Sequence, residues 1–163
     1  MNVIPIAAAA LLMFQGATAQ KPAPKATAPA AKATAAAKTA APKTAATDVG
    51  VTVAYKGKGT VDAGHKIIVF ALTDSNVTSN SRPIGTQFAS KNGETVTFKN
   101  VTAPIYVFAV YDEKGTYDGV SGPPPAGIPA SLYRKAPKGA PTVVAPGSPV
   151  VKFTFDDSER WNK

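Results

Sequence analysis

From residue 48 onward, the chain consists of short runs of β-branched and aromatic residues separated by glycine, asparagine, aspartate and proline. This pattern is typical of strands in a sandwich or barrel, and no helical periodicity competes with it. It predicts seven strands, at residues 49–55, 65–73, 84–90, 95–100, 105–112, 142–145 and 150–155. The expected fold is a single all-β sandwich over residues 48–163, a length that suits one hydrophobic core.

Alternation within these strands predicts which side chains face the core. Segments 65–73 and 105–112 are apolar on both faces, which indicates central strands covered on each side. Lys91-Asn92-Gly93-Glu94 predicts a hairpin turn before the strand at 95–100. The predicted inward residues are Val51, Val53, Ile68, Phe70, Leu72, Val96, Phe98, Tyr106, Phe108, Val110, Val151, Phe153 and Phe155.

Two stretches carry a family resemblance: G-E-T-V-T-F-K-N-V at 93–101 and A-P-I-Y-V-F-A-V at 103–110. They resemble the G-x-[YF]-x-F-x-[ND]-[VL]-x-x-G-x-Y pattern of carboxypeptidase-regulatory-like and transthyretin-like (prealbumin-like) sandwiches. Upstream, G-T-V-D-A-G-H-K-I-I-V-F-A-L-T at 59–73 suits that family's opening strand pair. Ala103-Pro104 replaces the usual glycine before the aromatic residue.

The resemblance implies a transthyretin-like or Ig-like sandwich that acts as an accessory, adhesive or carbohydrate-associated module. One enzymatic branch, the hydroxyisourate hydrolases, uses paired histidines, an arginine and a C-terminal Y-R-G-S. This chain has His65 as its one histidine and ends S-E-R-W-N-K. The resemblance therefore does not imply hydrolase activity.

The first nineteen residues have the pattern of a signal peptide. An apolar run from Val3 to Phe14 is followed by Ala17-Thr18-Ala19, which fits the A-x-A cleavage pattern before Gln20. The run is shorter than the roughly 20 residues of a membrane-spanning helix, and the alternative is a buried N-terminal helix. We expect export to the periplasm or to the extracellular side, and a mature protein without a transmembrane span.

Residues 20–47 are almost entirely alanine, lysine, proline and threonine, with no acidic residue. Such a segment buries too little apolar surface to offset its ordering entropy, which predicts a disordered linker. The linker accounts for five of the eight net positive charges. We expect either a solvated spacer or contacts with an anionic envelope polymer, and export argues against nucleic acid as a partner. The charges are on Lys21, Lys25, Lys32, Lys38 and Lys43.

Candidate metal ligands are limited to oxygen, because the chain has no cysteine and one histidine. Asp112, Glu113 and Asp118 surround a glycine in Y-D-E-K-G-T-Y-D-G, which predicts a candidate calcium site. The alternative is an acidic β-turn, since aspartate and glycine favour turns. A second acidic cluster at residues 156–159 would strengthen the calcium hypothesis if it met the first in space. No other cofactor is expected.

Within residues 48–163, the longest stretch without a predicted strand contains residues 115–141, which are rich in proline. Within it, Tyr117, Tyr133 and Arg134 are predicted to bind a sugar or peptide by stacking and charge. The alternative is that they cover an open sheet edge.

No catalytic residues are predicted, because the chain has no G-x-S-x-G or phosphate-loop motif. His65 would need a serine and a carboxylate brought together by folding. The expected function is a non-enzymatic exported binding or structural module of the cell envelope, whose partner is an envelope polymer, a carbohydrate or a protein. The alternatives are a structural subunit that assembles through sheet edges and a hydrolase with a site assembled by the fold.

Overall fold

The computed structural model describes residues 46–162, which form eight strands in two sheets and no helix. This architecture confirms the prediction of an all-β sandwich. The predicted signal peptide and all but the last two residues of the predicted linker lie outside the described residues. Over residues 46–162, no helix is long and apolar enough to cross a membrane. The strands are β1 (Thr47–Tyr55), β2 (Ile67–Leu72), β3 (Gly85–Ala89), β4 (Glu94–Val101), β5 (Ile105–Tyr111), β6 (Ala130–Leu132), β7 (Val143–Val144) and β8 (Val151–Phe155).

All seven predicted strands are present, with ends within two residues of the prediction. The predicted number was wrong, because β6 lies inside the proline-rich segment that was expected to have no strand. β6 has three residues and follows Pro129, so it is too short to show alternation. It forms because it pairs with β5, with Phe108 opposite Leu132 and Val110 opposite Ala130.

The three-stranded sheet has the order β4-β1-β8, and the five-stranded sheet has the order β3-β2-β5-β6 with β7 also paired to β5. β1 is antiparallel to β4 and parallel to β8. β3 and β4 belong to different sheets, so the predicted hairpin at Lys91–Glu94 was wrong. This turn instead carries the chain from one sheet to the other, and Gly93 permits it at a φ of 79°.

The main core lies between the two sheets and takes one face of every long strand. The inward predictions for β1 and β4 were correct, as were those for Phe153 and Phe155 of β8. For β2 and β5 the predicted face was wrong: Ile67, Val69 and Val107 are among the residues that face the other sheet. Because both strands are apolar on both faces, alternation cannot say which face meets the second sheet.

A second apolar cluster covers the outer face of the five-stranded sheet. It contains the large side chains of β2 and β5 that were expected in the main core. Loops and the C-terminal segment cover them, so both strands are central and buried on each side, as predicted. The buried members are Ile68, Phe70, Leu72, Val77, Phe108, Val110, Ile128, Ala130 and Trp161.

The C-terminal segment holds this second cluster in place. It runs antiparallel to the chain beside β6: the Ala130 N–H donates to the Glu159 carbonyl (3.1 Å) and the Trp161 N–H donates to the Ile128 carbonyl (2.9 Å). Arg160 makes a two-pronged ion pair with Glu113, with both N–O distances at 3.2 Å. These contacts cover the β6 edge and fix Trp161 on the outer face of the sheet.

Candidate binding cleft

The outer face of the five-stranded sheet has a cleft of about 280 Å³, which we call the outer cleft. Its floor consists of side chains from β2 and β5 together with Val77 and Trp161. One wall is the loop after β2 and the other is the loop after β5. The lining residues are Phe70, Leu72, Val77, Thr78, Ser79, Ser81, Arg82, Pro83, Thr86, Phe108, Tyr117, Gly119, Val120, Gly122, Pro123, Pro124 and Trp161.

The floor is aromatic. The ring centroids of Phe70 and Phe108 are 6.0 Å apart, and those of Phe108 and Trp161 are 5.7 Å apart. The indole Nε1 of Trp161 is buried and has no hydrogen-bond acceptor among the side chains and backbone of residues 46–162. Because a buried donor without a partner costs about 1–3 kcal/mol, this N–H favours an acceptor brought by a ligand or water.

The wall after β5 is held by two aspartates. The buried carboxylate of Asp112 accepts the Tyr117 N–H at 2.8 Å. Asp118 accepts the N–H groups of Val120 and Ser121, both at 2.9 Å, and also the Ser121 hydroxyl. These donors, the hydroxyl first, lower the pKa of Asp118 to about 2. The carboxylates therefore order the turn.

Tyr117 ties this wall to the floor. Its ring packs on Phe70 at a centroid distance of 6.5 Å, and its hydroxyl donates to the Gly122 carbonyl at 2.9 Å. Burial raises the pKa of Tyr117 to about 12, and the negative charge of Asp118 adds to this. Tyr117 therefore remains a neutral donor at physiological pH and fixes the position of Gly122.

The wall after β2 is polar and carries one cation. Thr78 and Ser81 close a local turn, in which the Thr78 N–H donates to the Ser81 hydroxyl at 2.9 Å. Arg82 follows this turn, is exposed, and has no ion pair or side-chain hydrogen bond with any residue that the structure describes. Its guanidinium is therefore available to an anionic group in the cleft.

Exposed apolar side chains lie beside the outer cleft. Phe88 of β3 is 44% exposed, Ile84 just before β3 is 58% exposed and Val120 is 74% exposed. β3 is also an edge strand, since within residues 46–162 only β2 pairs with it. Apolar side chains and an open strand edge thus meet at one side of the cleft.

A shallower depression of about 290 Å³ adjoins the outer cleft and shares Val77, Phe108 and Trp161 with it. Arg134 lies here, but its guanidinium is paired with the Glu159 carboxylate at 2.9 Å and also donates to the Ser131 hydroxyl. The charged side chains that line this depression are all in ion pairs, whereas Arg82 in the outer cleft has none with a described residue.

The structure does not bring the three predicted ligand-binding residues together. Tyr117 lines the outer cleft, and Arg134 lines the adjoining depression. Tyr133 packs against the main core: its ring and that of Phe153 meet edge to face with centroids 5.7 Å apart, and its N–H donates to the Val107 carbonyl.

The three predicted calcium ligands are also held separately. Asp112 is bonded to backbone N–H groups of its own loop, Glu113 is paired with Arg160, and Asp118 closes its own turn. The second acidic cluster does approach the first, but Arg160 lies between Glu113 and Asp157 and contacts both. No group of three or more carboxylates or histidines suited to a metal is found in the described part of the chain.

His65 lies in an exposed loop. Its Nδ1 is 3.2 Å from the Asp62 carboxylate, which also accepts the His65 and Gly64 N–H groups at 2.8 Å. These backbone hydrogen bonds lower the pKa of Asp62. None of the hydrogen bonds found over residues 46–162 joins His65 to a serine. The histidine therefore has a carboxylate beside it but no nucleophile bonded to it.

Sequence reasoning missed Arg82 and Trp161. Arg82 stands in the polar, turn-forming stretch after β2, where a single arginine has no distinctive pattern. Trp161 is the one tryptophan of the chain and is the third residue from its end. A lone tryptophan in a polar terminal segment is a signal that this segment docks on the domain, because an exposed indole is unfavourable.

Comparison with known proteins finds no matching family model, no similar curated protein and no similar solved structure. The transthyretin-like resemblance therefore stays a prediction.

Proposed function

We propose that this protein is a non-enzymatic, exported binding module that recognises its partner in the outer cleft. The observation that carries the proposal is the combination of an aromatic floor, a row of hydroxyl groups and an arginine without a partner in one concave site. Ligand sites commonly combine apolar walls with a few polar groups that fix orientation.

The charged groups elsewhere in the domain favour binding over catalysis. Asp112, Glu113 and Asp118 are engaged in structural contacts, and His65 is hydrogen bonded to Asp62. Nucleophilic catalysis needs a nucleophile and a base within hydrogen-bond reach of each other.

We also propose a transthyretin-like fold, cleavage before Gln20 and display of the sandwich on the basic linker. The strand pattern at 93–110 supports the fold proposal, and the A-x-A pattern supports export. In this arrangement the linker lysines contact an anionic envelope surface while the cleft binds the partner.

Gly122 offers a test of the cleft. A Cβ atom added there meets no atom within 4 Å, and the φ of Gly122 is not positive, so substitution does not strain the backbone. We expect Gly122→Phe to obstruct the outer cleft and Gly122→Ala to leave it open. Both variants keep the backbone carbonyl that Tyr117 uses.

The measurement is Trp161 fluorescence of the full chain, titrated with apolar and charged peptides, chitotriose and trigalacturonate. Trp161 is the sole tryptophan of the chain, so its emission reports the cleft. The proposal predicts that at least one ligand binds wild type and Gly122→Ala equally and binds Gly122→Phe at least tenfold more weakly. Equal binding by Gly122→Phe, no binding by any ligand, or turnover that needs His65 would overturn it.

A further inference from the structure

We infer that the ligand of the outer cleft is an extended peptide that carries a carboxylate, added to the free edge of β3 with the carboxylate against Arg82. This inference rests on the proposed function and names its partner class. Four observations carry it: the cation, the strand edge, the apolar side chains and the charge of the remaining chain.

The first observation is the state of Arg82. The other two arginines of the chain are both engaged: Arg134 is paired with Glu159, and Arg160 is paired with Glu113. Arg82 has neither an ion pair nor a side-chain hydrogen bond among the described residues. A guanidinium has only donors and matches a carboxylate in a two-pronged geometry, so an acidic ligand suits it.

The second observation is the contrast between the two edges of the five-stranded sheet. The C-terminal segment covers the β6 edge with hydrogen bonds from Ala130 and Trp161. Within residues 46–162 no strand covers the β3 edge. An open edge presents backbone donors and acceptors that an extended peptide can pair with.

The third observation is the position of apolar side chains beside this edge. Thr86 of β3 lines the outer cleft, and Phe88 is exposed on the same face, since it pairs with Ile68 of the outer cluster. Alternate side chains of a peptide added to β3 would point to this face. They would contact Phe88, Ile84 and the cleft.

The fourth observation is charge, which argues against two other occupants. The basic linker at 20–47 would place its lysines near Arg82, which is unfavourable. A second copy paired antiparallel about Thr86 would bring Arg82 of one copy close to Lys91 of the other. A partner that brings negative charge avoids both conflicts.

The test uses N-acetylated peptides of the sequence Thr-Val-Thr-Val-Thr-Phe, titrated into the full chain and followed by Trp161 fluorescence. One peptide ends in a free carboxylate and one in an amide. A third ends in an amide but has an aspartate in place of the middle threonine, which separates a terminal from a side-chain carboxylate. A fourth ends in the carboxylate but has alternate backbone nitrogens methylated on its hydrogen-bonding side.

We expect a carboxylate peptide to bind at least tenfold more tightly than the plain amide, since about 1.4 kcal/mol from one charge-assisted pair corresponds to tenfold. Arg82→Gln should remove this difference, while Lys152→Gln, which removes a charge from the other sheet, should keep it. Methylation should abolish binding because it blocks pairing with the edge. If the aspartate peptide bound more tightly than the peptide with a terminal carboxylate, the carboxylate that contacts Arg82 would belong to a side chain of the partner.

The inference would be overturned if the plain amide bound as tightly as both peptides that carry a carboxylate, if Arg82→Gln had no effect, or if the methylated peptide bound fully. If the peptides bound in one of these ways and Gly122→Phe still abolished their binding, the proposed function would stand. Binding of trigalacturonate in place of every peptide would also overturn it, as would a concentration-dependent dimer that Phe88→Lys abolishes in sedimentation. Loss of all cleft binding would instead remove the proposed function itself.

Discussion

At the scale of single residues, two glycines in one wall of the outer cleft differ in whether they tolerate a side chain. Gly119 has a φ of 72°, and a Cβ there would lie 2.8 Å from the Ile68 Cγ2 atom. Gly122 has open space around its Cα and a φ that other residues adopt.

We predict that Gly119→Ala lowers the free energy of unfolding by more than about 1 kcal/mol, because it adds both backbone strain and a close contact with Ile68. Gly122→Ala should be neutral or stabilise by up to about 1 kcal/mol, since it reduces the entropy of the unfolded chain. Urea unfolding followed by circular dichroism measures both. Equal stability of the two variants would contradict the described loop conformation.

Tyr117 gives a prediction in alkaline solution. Its pKa is raised from 10 to about 12 in the folded state, so its stabilising effect is complete below pH 10 and is lost as the pH rises through 12. Tyr117→Phe removes the hydrogen bond to Gly122, which costs about 1 kcal/mol at pH 8. The stability difference between wild type and variant should shrink between pH 10 and 12.

Urea unfolding of both proteins at intervals from pH 8 to 12 tests this expectation. Tyr55 and Tyr111 also have raised pKa values from burial, but they titrate alike in both proteins and cancel in the difference. A difference that stayed constant over this range would mean that Tyr117 ionises in the folded state as it does in the unfolded chain.

Of the three residues predicted to bind a ligand, only Tyr117 lines the outer cleft, and whether any of them binds stays a prediction. Tyr117 and Arg134 stand 17 positions apart, and only the path of the loop decides that they line different depressions. The three acidic residues were correctly placed in a loop after a strand. Their hydrogen-bond partners, Arg160 and backbone N–H groups, depend on contacts that spacing does not encode.

At the scale of elements, strand positions followed from the sequence because β-branched runs and turn residues act locally. The face of β2 and β5 that meets the other sheet did not follow, because both faces are apolar. β6 was missed because it forms through its pairing with β5 over three residues, which is too short a segment to show a strand pattern. Its sheet edge is then covered by a C-terminal segment that has no strand pattern.

This C-terminal segment should contribute strongly to stability. Trp161 is 5% exposed and packs on Phe108. We predict that Trp161→Ala lowers the free energy of unfolding by about 3–5 kcal/mol, as large-to-small core substitutions do. Asn162→Ala, at an exposed position beside it, should change stability by less than about 0.5 kcal/mol. A loss below 1 kcal/mol for Trp161→Ala in urea unfolding would show that the segment is not docked.

At the scale of the whole molecule, charge is divided between the linker and the sandwich. Residues 20–47 carry five of the eight net positive charges and residues 48–163 carry the other three, so most of the basicity of the chain lies outside the sandwich. The proposed function assigns these lysines to an anionic envelope surface and the outer cleft to a separate partner.

The proposed export predicts where the mature chain begins and where in the cell it is found. Protein expressed in a bacterium with a secretion system should begin at Gln20 and fractionate outside the cytoplasm, because Ala17-Thr18-Ala19 fits a cleavage site. Intact mass with cell fractionation measures both properties. Ala19→Arg should block cleavage. A cytoplasmic protein that retains Met1 would contradict the export proposal and bring nucleic acid back as a partner for the linker.

Recognition in the outer cleft can be tested by nuclear magnetic resonance of the 15N-labelled full chain. The chain has one indole N–H, that of Trp161, so its signal is unambiguous. On titration with the carboxylate-ending peptide, the account predicts shifts at the Trp161 indole and at the amides of Thr86, Gly119 and Gly122. Shifts confined to Thr52, Thr95 and Lys152, on the outer face of the three-stranded sheet, would contradict it.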